Sequence, residues 1–85
     1  MEKVFIVVEQ YTFEYAHDTR VSVYKDKAKA LGAMKSIVNR ERTDTWIATE
    51  SDVVINEDEE SFNAYVDGYA GNYETYIAVQ EKEIW

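Results

Sequence analysis

The hydrophobic repeat of this chain changes period along its length, and that change restricts its fold more than any other feature. Val-Phe-Ile-Val-Val at 4–8 is a continuous β-branched and aromatic run, the mark of a strand buried on both faces. Beyond it Phe5, Val7, Tyr11, Phe13 and Tyr15 share one parity, while Gln10, Thr12 and Glu14 turn the other polar. The pattern predicts a strand that begins in the core and ends as a half-exposed edge with an aromatic stripe. Ala16-His17-Asp18-Thr19 reads as a turn, and Arg20-Val-Ser-Val-Tyr-Lys25 alternates again, which predicts a hairpin.

From Asp26 to Arg42 the composition shifts to Ala, Lys, Leu, Met and Arg, all good helix formers. Leu31, Met34, Ile37 and Val38 recur at spacings of three and four, with Ala30 and Ala33 beside them, so one face is apolar. Asp26 is the expected cap. Lys35, Arg40 and Arg42 favour the C-terminal end through the helix dipole. Gly32 weakens the middle and reads as a point of close packing on the sheet.

Trp46-Ile47 and Val53-Val54-Ile55 are apolar islands in an otherwise polar stretch, a covering segment with room for a short strand. Two readings compete for 56–70. As a helix, Asn56 caps, Glu59 completes a capping pair, and Phe62, Tyr65, Val66 and Tyr69 form a face. As a hairpin, Phe62, Ala64 and Val66 alternate with Asn63, Tyr65 and Asp67. The turn then runs from Asp67-Gly68 through Gly71-Asn72, and Tyr73–Ile84 returns as the partner strand. Asn63, Val66, Gly68 and the tyrosines weaken a helix, so the hairpin is preferred. The expected fold is α+β: an antiparallel sheet, ββαββ along the chain, with one main helix packed on one face.

Eighty-five residues make one domain, 1–85, with a thin core and little room for a deep pocket. Cysteine is absent, which removes disulfides, thiolate metal sites and a Cys nucleophile, and favours a cytoplasmic setting. The apolar run near the N-terminus is too short to span a membrane. Net charge is −8 and unevenly spread: residues 1–42 carry eight bases and six acids, whereas 43–85 carry one base, Lys82, and eleven acids. Such a balance argues against direct nucleic-acid binding, which needs a basic footprint. It suits attraction to a basic protein.

The opening VFIVVEQYTFEY, the helix entry KDKAKAL and the closing SFNAYVDGYAGNYETYIAVQEKEI resemble small uncharacterised acidic proteins carried by phages and mobile elements of gut-type bacteria. The likeness rests most on Phe62, Ala64, Tyr65, Gly68 and the strand IAVQEKEI, and is weakest over 43–55. It implies a role like that of small acidic phage inhibitors, of the anti-CRISPR or anti-restriction kind. It carries no catalytic signature.

The residues themselves offer little to an enzyme. His17 is the only histidine and falls in a turn beside Asp18, and there is no phosphate loop, nucleophile elbow or metal-binding histidine pair. Asn56, Asp58 and Glu60 alternate oxygen donors as a calcium loop begins. However, the sixth position from Asn56 is Ser61 rather than Gly and the twelfth is Asp67 rather than Glu. No cofactor and no metal are expected. Glu50/Asp52, Glu57/Glu59, Asp58/Glu60 and Glu81/Glu83 are i,i+2 acid pairs. On an extended chain each pair spans roughly 6.6–6.8 Å on one face, close to two phosphate steps of DNA. A solvated acidic face that keeps a small domain soluble explains them equally well. Tyrosines beside the acids favour binding, since aromatic residues anchor interfaces and charge steers the encounter. The expected partner-binding residues are Asp52, Glu57, Asp58, Glu59, Glu60, Tyr65, Tyr69 and Tyr73. The expected function is a non-enzymatic module that engages a basic, nucleic-acid-handling protein. The alternative is a homo-oligomer that self-associates through its aromatic strands while the acids only solvate it.

Overall fold

A computed structural model describes residues 2–13, 16–50, 52–66 and 73–84. The period-two segments are strands and the period-3.6 segment is a helix. The order is β1 (Glu2–Phe13), β2 (Ala16–Tyr24), α1 (Lys27–Asp44), the single-turn α2 (Trp46–Thr49), β3 (Val53–Glu57), β4 (Ser61–Val66) and β5 (Tyr73–Ile84). The strands form one antiparallel sheet in the order β2-β1-β5-β4-β3. The α+β class and the single main helix match the sequence reading. The strand count does not: Val53–Glu57 pairs with β4 as a fifth, edge strand, so the order is ββα followed by three strands. The helix alternative for 56–70 fails for the described residues, because Phe62, Ala64 and Val66 are buried at every second position of β4.

β1 pairs along its whole length with β5, from Glu2↔Ile84 to Phe13↔Tyr73, and on its other side with β2. It is therefore an interior strand and not the edge that its polar tail suggested. Gln10 and Thr12 are polar because they point to an uncovered sheet face. Ala16-His17-Asp18-Thr19 is not a turn either. These residues pair with Phe13 through Gln10 and extend the hairpin ladder. The turn expected at 67–72 lies outside the described residues.

Asp26 caps α1, its Oδ1 accepting from the Ala28 amide at 2.8 Å. Thr45 ends α1 and caps α2, accepting from the Ile47 amide. One face of the sheet lies under α1, and the core is Val7, Ala30, Met34, Val38, Phe62, Ala64 and Ile77. Leu31 and Ile37 are only half-buried, so the inward line of the helix runs through Ala30, Met34 and Val38. Gly32 corrects the close-packing reading. It is exposed, and a Cβ there would meet no heavy atom within 4 Å. At two positions from both Ala30 and Met34 it points away from the sheet.

Among the described residues no helix lies over the other sheet face. Cross-strand register places Val4, Ile6 and Val8 of β1, Val21 and Val23 of β2, Tyr76 and Ala78 of β5, Tyr65 of β4 and Val54 of β3 on that face. The 4–8 run is thus covered on one side only: Val7 is fully buried, while Val4, Ile6 and Val8 are half-exposed. The single helix available to five strands can cover only one face.

Candidate protein-binding site

The acid run is the tip of the β3–β4 hairpin. Glu57 is the last residue of β3 and pairs with Phe62. The Asp58 amide donates to the Ser61 carbonyl at 3.0 Å. The Asp58 carboxylate accepts from the Glu60 amide at 2.8 Å and from the Ser61 hydroxyl at 3.0 Å. These bonds hold its pKa below the ordinary aspartate value, the Glu60 amide contributing most. Asp58 is therefore a turn former.

Its neighbours are tied to α1. Glu57 accepts from Arg42 at 2.8 Å, and the Arg42 guanidinium also lies 5.4 Å from the Phe62 ring centroid, a cation–π distance. Glu60 pairs with Lys27 at 2.7 Å and raises the lysine pKa. The uneven charge of the sequence thus has a structural use: a basic helix docks on an acidic hairpin. Both pairs are exposed, so each contributes little to stability.

A groove of about 520 Å³ separates α1 from this hairpin tip. Met34 and Val38 contribute to its lining, together with Lys35 and Arg42 from the helix and Glu57, Asp58 and Glu59 from the tip.

The expected site residues do not form one surface. Asp52 precedes β3 at a left-handed φ of 60°, five strand steps from Glu57, or roughly 16 Å. Tyr65 is half-buried on the open face, opposite Glu74 and Val54. Tyr73 is on the helix side, its ring edge-on to Phe13 at 5.0 Å and tilted against Trp46 at 5.6 Å. Tyr69 lies outside the described residues. Among the acid pairs, only Glu81/Glu83 stands on a strand with both members on one face, where Lys3 approaches Glu81 at 3.5 Å. Asn56 belongs to β3, and Asp58 and Glu60 are engaged as above. Among the described residues no group of three or more His, Asp or Glu is placed to hold a metal. His17 faces Thr12 across the hairpin at 3.3 Å.

Three features were not read from the sequence. The first is the open sheet face, where Val21 and Val23 are 59% and 61% exposed. The available signal was the shared parity of these two residues in a chain with one helix. The second is the pair of basic residues, Lys27 and Arg42, that holds the acid run. The third is a buried polar pair: Glu9, almost wholly buried, accepts from the Tyr11 hydroxyl. Burial first, and then this bond, push the Tyr11 pKa up.

No helix among the described residues is long and apolar enough to cross a membrane. No protein-family model, curated protein or solved structure matches this chain.

Proposed function

We propose that this chain is a non-enzymatic interaction module that pairs with a second copy of itself through the open face of its sheet. The observation that carries this reading is the exposure of Val21 and Val23, which extend the half-exposed Val4, Ile6 and Val8 across two paired strands. Charge supports the same occupant. The chain carries −8, so two copies repel, and contact is cheapest where charge is sparse. Among the described residues the open face carries only Glu2, Glu74 and Lys82 as charged side chains. Its extent also suffices. Five strands and about nine residues of length give roughly 24 Å by 30 Å, near the ~800 Å² per partner of a standard interface. Two such faces pack about 10 Å apart as a sandwich.

The test is sedimentation velocity over a concentration series, with Val21→Lys/Val23→Lys beside the unaltered chain. Both positions are exposed, so the variant keeps its fold, checked by circular dichroism. The unaltered chain should be dimeric and the variant monomeric. A monomer at every concentration for the unaltered chain overturns the reading.

The groove beside the acid run favours a second reading, in which a basic, nucleic-acid-handling protein is the partner and the chain acts as a phage or mobile-element inhibitor. The ion pairs of Glu57 and Glu60 are exposed and exchangeable, and partner arginines would replace Arg42 and Lys27. Binding of such a partner should weaken steeply with salt and be lost when Glu57, Glu59 and Glu60 become Lys. Salt-independent binding would exclude it.

A further inference from the structure

A second pocket, of about 260 Å³, lies on the helix side of the sheet, where α1 gives way to α2. Tyr11 and Phe13 of β1, Thr75 of β5, Glu41 of α1 and Trp46 of α2 line it. Tyr11, Phe13 and Trp46 give it aromatic walls, Thr12 and Thr45 complete the lining, and it sits apart from the acid run and the groove.

Two polar groups in this lining are left without a good partner by the protein itself. Thr75 is 1% exposed and its Oγ1 has no hydrogen-bond partner among the described residues, although buried hydroxyls are almost always paired. The Glu41 side chain is 12% exposed, and its only ion-pair partner among the described residues, Arg40, stands off at 3.8 Å with more than half of its own side chain in solvent. Burial raises the Glu41 pKa, the nearby Arg40 lowers it, and the buried Glu9 raises it further. A carboxylate so placed favours a cation brought into the pocket. Trp46, Phe13 and Tyr11 line the same pocket, and the Tyr73 ring packs against both Phe13 and Trp46. Aromatic walls closing on a carboxylate are the chemistry that holds organic ammonium groups.

We propose that this pocket binds a small organic cation, an ammonium group on an aromatic or apolar body. The ammonium donates one N–H to the Glu41 carboxylate and another to Thr75 Oγ1, and the body packs against Trp46, Phe13 and Tyr11. At about 260 Å³ the pocket falls just below the roughly 300–1,000 Å³ of drug-sized ligand sites, which suits a body as small as an arylethylamine. Apart from Thr12, the residues of its strand walls, Tyr11, Phe13 and Thr75, lie on the sheet face opposite the one proposed for self-association.

The test is a nuclear magnetic resonance titration of the full chain with 2-phenylethylammonium, read at the Trp46 indole N–H and the Thr75 amide. Neutral 2-phenylethanol and anionic phenylacetate are the matched controls. The ammonium probe should shift both signals and bind at least tenfold more tightly than the alcohol, with phenylacetate weakest. Glu41→Gln should abolish the preference for the ammonium while leaving the alcohol unchanged. Thr75→Val, which keeps volume and charge, should weaken the ammonium severalfold and supplies the same test should Glu41→Gln disturb the fold. Equal affinity for the three probes, or no shift at Trp46 with any of them at millimolar concentration, overturns the proposal.

Discussion

Gly32→Ala tests the placement of α1 with a single methyl group. Gly32 is the sixth residue of an eighteen-residue helix, so it sits in the interior where propensity counts in full. Glycine in such a position costs about 0.5–1 kcal/mol relative to alanine, mainly through the backbone freedom it loses on folding. Whether that gain is realised depends on what the new Cβ touches. Here it touches nothing within 4 Å, so no clash offsets it. A domain of this size has a total stability of about 4–13 kcal/mol, which makes the change measurable. The melting temperature should rise by roughly 2–8 °C. Urea titration followed by far-UV circular dichroism should move to a higher midpoint at unchanged slope. An unchanged or lowered midpoint would refute the reasoning. Either α1 is then not continuous through residue 32, or its outer face is covered.

The remaining predictions concern the helix face and the buried polar groups. Met34 is 3% exposed, so Met34→Ala should cost about 2–5 kcal/mol, whereas Leu31→Ala, at a half-buried position, should cost less than half as much; equal losses in urea would mean that the helix is rotated. Tyr11 has its pKa raised by burial and by its bond to Glu9, so the native state holds its proton longer than the unfolded chain, whose tyrosine titrates near 10. Stability should be full below that value and fall as pH rises through it; thermal melts across this range should show a shallower fall for Tyr11→Phe, and identical slopes would place Tyr11 in solvent. Thr75→Val removes a buried hydroxyl with no partner among the described residues and should raise stability by about 1 kcal/mol; a loss would show that the hydroxyl is satisfied in solution.

The sequence was most legible where one principle acted alone. Phe62, Ala64 and Val66 alternate and are buried alternately. The closing strand starts and ends where the pattern placed it, at Tyr73 and Ile84, and Asp26 caps where it was expected to. The errors share a cause: burial depends on which neighbours exist, and local pattern does not report them. Val4, Ile6 and Val8 are apolar yet half-exposed, because a single helix leaves one face open. Gln10 and Thr12 are polar for the same reason and mimicked an edge. Val53–Glu57 was hard to see as a strand because its pairing with β4 brings together Asn56 and Asn63, residues with low strand propensity. The acid run was conspicuous, but its ties to Lys27 and Arg42 are contacts between distant segments, which no spacing rule reveals. The Thr75 pocket gave no sequence signal, since its walls come from β1, α1, α2 and β5.

The pairing of β1 with β5 has a consequence for how the protein is made. Val7 and Val79 are register partners separated by about seventy residues, so the middle of the sheet consists of contacts of high sequence separation, which slow folding. At a synthesis rate of about 5–20 residues per second, β1 emerges from the ribosome roughly 4–14 s before its central partner exists. During that interval the β1–β2 hairpin can close, but one long edge of β1 stays unpaired and the valines of both its faces stay wet. The aggregation hazard of this chain therefore belongs to the nascent hairpin more than to the finished fold, and a chaperone that shields residues 2–24 would act at the stage when the protein is most exposed to it.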